Sequence, residues 1–193
     1  CGEENDLLSK SHIIPDCMYQ ELYDEKHKIH KFEPVSYFKG ESYMQKPSSG
    51  EYEGGLLCAK CDNERIGRLE SYACHFLYST GELPEDIKPA VKNFRDEPTG
   101  VGFSTIGNTK YDLFKLFILS ILWRAGISKR EGFGQIVLED DEPIIREMLL
   151  TNNPKSEDVY PIVFFGWIQG DSLATDMIQQ PVTVKEKHGK RYM

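Results

Sequence analysis

The stretch Gly54-Gly55-Leu56-Leu57-Cys58-Ala59-Lys60-Cys61-Asp62-Asn63-Glu64-Arg65-Ile66-Gly67 decides how this chain is read. Two thiolates three positions apart bind one metal ion from a tight knuckle, whereas a disulfide between them would be strained. A thioredoxin-like redox motif wants a strand-to-helix setting within a βαβ unit. The surroundings of Cys58 are short and hairpin-like, so zinc is the favoured reading. After Cys61, the residues Ile66, Leu69, Ala73, Phe76 and Leu77 recur at helical spacing, which predicts an amphipathic helix over 62–79.

Structural zinc takes four ligands, so one pair of cysteines is half a site. Cys1-Gly2 reads as the end of the other half, because glycine after a knuckle cysteine lets the backbone turn through positive φ. With no methionine at its start, the chain is expected to have had a partner cysteine upstream. Rival readings are an arbitrary chain start and a lipid-modified mature cysteine. Five cysteines occur, an odd number that argues against a disulfide framework, and Cys17 and Cys74 are expected to be buried thiols. Free metal thiolates suit a reducing compartment, so the expected location is cytoplasmic.

Upstream, Ser11-His12-Ile13-Ile14-Pro15 is a short apolar run ended by proline, which predicts a strand carrying His12. A helix is expected from Asp16 to about Lys26, and loop and hairpin over 33–55. Gly81 to Pro98 reads as a connector broken by Pro84, Pro89 and Pro98. The sequence from Tyr111 to Ala125 is apolar almost all round, so it predicts a core helix with Gly126 as its cap. Pro143 opens a further helix through Leu150, and Val159 to Ile168 reads as a buried strand. The expected fold class is α+β: a metal-stabilised module over residues 1–80, then a mainly helical α+β portion over 81–193 with a small second core. Lys185 to Arg191 reads as a solvated tail.

The order of a half knuckle at Cys1, a strand histidine at His12 and the Cys58–Cys61 pair opening a helix resembles the HNH, or ββα-metal, endonucleases of the treble-clef zinc type. The segments "SHIIP" (11–15) and "GGLLCAKCDNERIG" (54–67) carry the resemblance, which covers about the first 80 residues. It implies a structural zinc held by Cys1, Cys58 and Cys61, with His12 as general base. It also implies a catalytic magnesium or manganese ion with Asp62 as ligand. Asn63 and Glu70 share a helix face and are further candidate oxygen ligands; at 100° per residue Glu70 lies about 80° round from Asp62. The chain departs from the family at Ser11, where many members carry an aspartate or histidine, and no residue over 51–57 matches the asparagine that orients the histidine ring.

Chemistry fits the resemblance, since phosphodiester hydrolysis needs an activated water and a cation against developing charge. Neutral histidine is suited to take a proton near pH 7. Each residue also has a plainer reading: His12 as a hydrogen-bonded structural histidine, and Asp62 as a first-turn acid favoured by the helix dipole. His75 lies nearly opposite Asp62 and reads as surface or packing.

Charge sets limits on partners. The 193 residues carry a formal net charge of −8, and neither half is basic, with 9 basic against 14 acidic residues up to position 80 and 14 against 17 after it. That excludes a generally basic nucleic-acid coat and leaves local patches. Lys26, Lys28 and Lys31, interleaved with His27 and His30, form the best patch in the first half and are candidate phosphate contacts. The apolar run from Leu113 to Trp123 is too short and interrupted to span a bilayer, so no membrane partner is expected. The expected function is a metal-dependent endonuclease acting on DNA rather than RNA, of a defence-type effector kind, with a possible protein partner for 81–193. The alternative is a catalytically inactive, zinc-stabilised treble-clef module that binds protein or nucleic acid.

Overall fold

The computed structural model describes residues 1–2, 5–32, 39–40, 44–78, 84–86, 88–100, 102–162, 168–169, 172–173, 178–179, 181–186 and 189–192. Among the described residues the architecture is mixed: three α-helices, short 3-10 and π segments, and antiparallel strand pairs. Strand β1 (Ser11–His12) pairs with β4 (Tyr52–Glu53), so that Ser11 faces Glu53 and His12 faces Tyr52. Between them lie a 3-10 helix (Asp16–Leu22) and the β2 (Lys31–Phe32) and β3 (Met44–Gln45) pair. The helix expected to reach Lys26 stops at Leu22, because Asp24 folds the chain into a turn by accepting from the Lys26 and Lys28 amides, both at 2.9 Å. Part of the loop over 33–55 lies outside the described residues.

One helical segment follows the knuckle. It opens as a π-helix, Lys60–Ile66, and continues as α1, Gly67–Tyr78. The Gly67 amide donates to the Asp62 carbonyl, five residues back. Wider π turns hold more residues than α turns, so the 100° arithmetic for Asp62 and Glu70 does not apply across this join.

Gly81 to Pro98 is not merely a connector. Strand β5 (Ala90–Arg95) lies inside it and pairs with β6 (Gly102–Gly107). Pro89 precedes β5 and Pro98 sits in the turn beyond it, the two places where proline costs a strand no ladder bond. The turn closes through the Gly100 amide, which donates to the Asp96 carbonyl at 2.7 Å.

Helix α2 (Tyr111–Ile127) crosses α1 and α3 (Asp141–Thr151). It extends past Gly126, which is inside the helix and not a cap; a side chain there would overlap Leu138. The expected second core is not separate either. Ile13, Ile14, Leu69 and Ala73 of the first 80 residues share one buried cluster with Phe117, Leu119, Ala125, Ile145 and Met148.

Val159 to Ile162 is not strand, because Tyr160 has a left-handed backbone (φ 54°) that turns its hydroxyl to Asp141 Oδ1 at 2.8 Å. Residues 163–167 of that expected strand lie outside the described residues, and β7 (Ile168–Gln169) pairs with β8 (Ser172–Leu173). The basic tail is structured: β9 (Thr183–Glu186) pairs with β10 (Gly189–Tyr192), and the Tyr192 hydroxyl donates to Asp141 Oδ2 at 2.5 Å. Cys17 and Cys74 are not buried thiols. They form a disulfide with Cα atoms 6.0 Å apart, joining the 3-10 helix to α1. Among the described residues no helix is long and apolar enough to cross a membrane.

Candidate metal-dependent active site

Three cysteine sulfurs gather at the mouth of the first helix. Cys1, Cys58 and Cys61 place their sulfurs mutually within 4.8 Å, and those of Cys1 and Cys58 are 3.6 Å apart. Tetrahedral zinc with bonds of about 2.3 Å sets sulfurs about 3.8 Å apart, so this cluster has the spacing of a thiolate site. The N-terminal segment is held there by main-chain pairing: the Leu8 amide donates to Leu57, and the Gly55 amide to Leu8, both at 2.8 Å. Gly2 has the positive φ, 82°, that its place after Cys1 suggests. Main-chain N–H groups of Cys61 and Lys60 face the Cys58 sulfur, and the Cys61 bond chiefly holds its thiol below the ordinary range. Burial pushes the Cys61 thiol up. Both are buried with Leu57 and Ile66, and a cavity of about 480 Å³ opens beside them against Trp123 and Leu149.

The second centre lies where β1, the π-helix, α1 and α2 meet. Ser11 is fully buried on β1, and His12 beside it is half-buried. Asp62, half-buried, carries a carboxyl raised above the usual range mainly by burial; Arg124 and His12 favour its charged form and Glu70 opposes it. The Ser11 hydroxyl has no fully formed hydrogen bond, yet it lies close enough to Asp62 to favour the carboxylate. An orphaned buried hydroxyl beside a carboxylate is a donor set with an oxygen to spare.

Arg124 organises this centre from α2. Its side chain is 1% exposed, and Nη1 donates to the His12 carbonyl at 2.6 Å and to Glu70 Oε1 at 2.7 Å. Its Nε donates to the Ser120 carbonyl at 3.2 Å. Burial lowers the Arg124 pKa while Glu70 opposes that fall. One Glu70 oxygen is therefore committed to a guanidinium. Asn63 is exposed on the π-helix. Among the described residues, the cysteine cluster is the one group of three or more metal-ligating side chains drawn together; His12, Asp62 and Glu70 do not close to that spacing.

The candidate phosphate contacts disperse. Lys26 is exposed and Lys28 half-buried in the Asp24 turn, while Lys31 extends to Glu51 Oε1 at 2.9 Å, toward the β1–β4 pair. His75 is exposed. Sequence reasoning missed Arg124, which stands 112 positions from His12. The available signal was a cation in the last turns of a mainly apolar helix, where burial requires a partner.

No protein-family model matches the chain, and no relative is found among curated proteins or solved structures.

Proposed function

We propose that the chain is a metal-dependent endonuclease of the HNH type that hydrolyses phosphodiester bonds in DNA. The observation that carries this reading is the convergence at one junction of the His12 strand and the helical segment that follows the last knuckle cysteine: Arg124 joins the His12 main chain to Glu70, and Ser11 and His12 both favour the Asp62 carboxylate. His12 acts as general base, taking the proton of the attacking water. Its strand is held by pairing to β4 and by Arg124 at the His12 carbonyl. Asp62, with Ser11 near it and Asn63 next to it in the chain, would hold magnesium or manganese, and Glu70 contributes through Arg124. When bound, the cation supplies charge stabilisation at the phosphate and leaving oxygen.

Zinc at Cys1, Cys58 and Cys61 holds the N-terminal segment against the helix start, with a fourth ligand from outside the trio. The sulfur spacing supports this site. A protein partner for 81–193 would meet the β5–β6 hairpin, where Phe94 and Ile106 are 44% and 53% exposed. Cytoplasmic location suits free thiolates in the cluster, while the Cys17–Cys74 disulfide weighs on the other side, because disulfides persist mainly in oxidising compartments.

A second reading, a zinc-stabilised binding module without activity, draws support from Ser11 in place of a carboxylate and from the Arg124–Glu70 pair. Incubating the protein with supercoiled plasmid and magnesium or manganese, beside His12→Ala, separates the two. Metal-dependent nicking lost in the variant is expected. Nicking that survives in His12→Ala removes His12 as the base, and none by either protein removes the nuclease reading in favour of the binding module.

A further inference from the structure

We propose that the outer face of the β1–β4 pair, built on Lys10, Tyr52 and Arg130, is the surface along which the DNA backbone lies beside His12. The inference rests on the nuclease reading and adds the contact surface to it. Strand register sets Tyr52 directly opposite His12, with ring centroids 6.2 Å apart and planes at 72°. Lys10 Nζ stands 4.2 Å from the Tyr52 ring centroid, and the Arg130 guanidinium carbon 6.0 Å from it. One aromatic ring thus gathers two exposed cations around the histidine's own strand.

The loop after α2 explains why Arg130 is there. Glu53 on β4 accepts from the Ser128 hydroxyl at 2.6 Å and the Lys129 amide at 3.0 Å, which pins residues 128–130 to the strand. Arg130 Nη1 then donates to the Tyr52 carbonyl at 2.9 Å, and Nη2 pairs with Glu51 at 2.9 Å. Lys31 reaches the same Glu51. Among the described residues, Glu51 is shared by Lys31 and Arg130 and Glu53 is engaged in holding the loop, so that Lys10 and Arg130 stand together at the Tyr52 ring. In a chain of net charge −8 this sets two exposed basic side chains beside the candidate base, a pairing suited to phosphates.

The test uses the full chain carrying His12→Ala, which binds without cutting, and a fluorescein-labelled DNA duplex of roughly 20 base pairs, a length that spans such a surface. Anisotropy titrations between about 50 and 200 mM KCl give the affinity and its salt slope. Adding Lys10→Gln and Arg130→Gln is expected to weaken binding by about tenfold or more at low salt and to flatten the slope by about two. Arg130→Lys keeps the slope, which separates lost charge from lost folding, and Glu51→Gln tightens binding.

An unchanged slope in the double variant overturns the proposal. If wild-type nicking still depends on His12 in that case, the nuclease reading stands without it. A flattened slope in a chain that does not nick plasmid upholds the surface and removes the nuclease reading. A wild-type chain that neither binds nor nicks removes both.

Discussion

Arg124 Nη1 donates to the main-chain oxygen of His12 at 2.6 Å, across 112 positions of sequence and from a side chain that is 1% exposed. The same nitrogen holds Glu70 Oε1 at 2.7 Å. One cation from the second part of the chain therefore fixes both the candidate base strand and the helix that faces it. The two parts of the chain meet at this point.

Arg124→Met tests that dependence. The change leaves the His12 carbonyl without its donor and a partly buried Glu70 without its counter-charge. Breaking a buried pair from one side costs about 3 kcal/mol or more. Urea denaturation is expected to show that loss, with Arg124→Met/Glu70→Leu recovering part of it because no charge is then left unpaired. Equal stability of Arg124→Met and wild type would contradict the assigned contacts.

Zinc content tests the cysteine cluster. The purified chain is expected to carry about one zinc ion, as a thiolate site does. Cys58→Ser should lose it, since Cys58 lies at the centre of the cluster, 3.6 Å from the Cys1 sulfur, and main-chain amides hold its thiol below the ordinary range. Metal analysis by mass spectrometry reads the outcome, and thermal unfolding with a strong chelator should fall in midpoint to match the variant.

The Cys17–Cys74 disulfide closes a separation of 57 positions. In the chain-entropy limit a loop of this size contributes about 4 kcal/mol at most. Unfolding of Cys17→Ser/Cys74→Ser in urea is expected to begin at lower denaturant, and wild type treated with a phosphine reductant should match it. Peptide mapping after thiol blocking should find Cys17 joined to Cys74 and the other three cysteines alkylated. Alkylation of all five would remove the bond.

Gly126 gives a packing test. A Cβ there would overlap Leu138, so Gly126→Ala is expected to destabilise by about 1–3 kcal/mol, the range for overpacking a filled core. Leu138→Ala should relieve part of the penalty when combined with it. Additive losses in the double mutant would show that the two positions do not meet.

Much of the site was legible before folding because it depends on short spacing. The CxxC knuckle, the helix after it and the short strand with His12 are local patterns, and each appears where its residues indicated. The apolar run from Tyr111 likewise announced a core helix. Where local signals misled, a neighbour outweighed them. Tyr160 belongs to a β-branched and aromatic run, yet its hydroxyl bonds to Asp141 through a left-handed turn. Pro89 and Pro98 signalled a break, yet each sits just outside a strand.

The sequence by itself determined the Cys58–Cys61 pair, the helical segment it opens and the short strand that carries His12, because those follow from residues within a few positions of one another. Only the tertiary structure decided that Arg124 serves His12 and Glu70, that Cys17 meets Cys74, and that Arg130 stands beside Tyr52. Each of these joins common residue types across tens of positions, and no local periodicity encodes them. They arise when burial of one shared core brings α2 against β1 and α1, and every polar group carried inside must then find a partner.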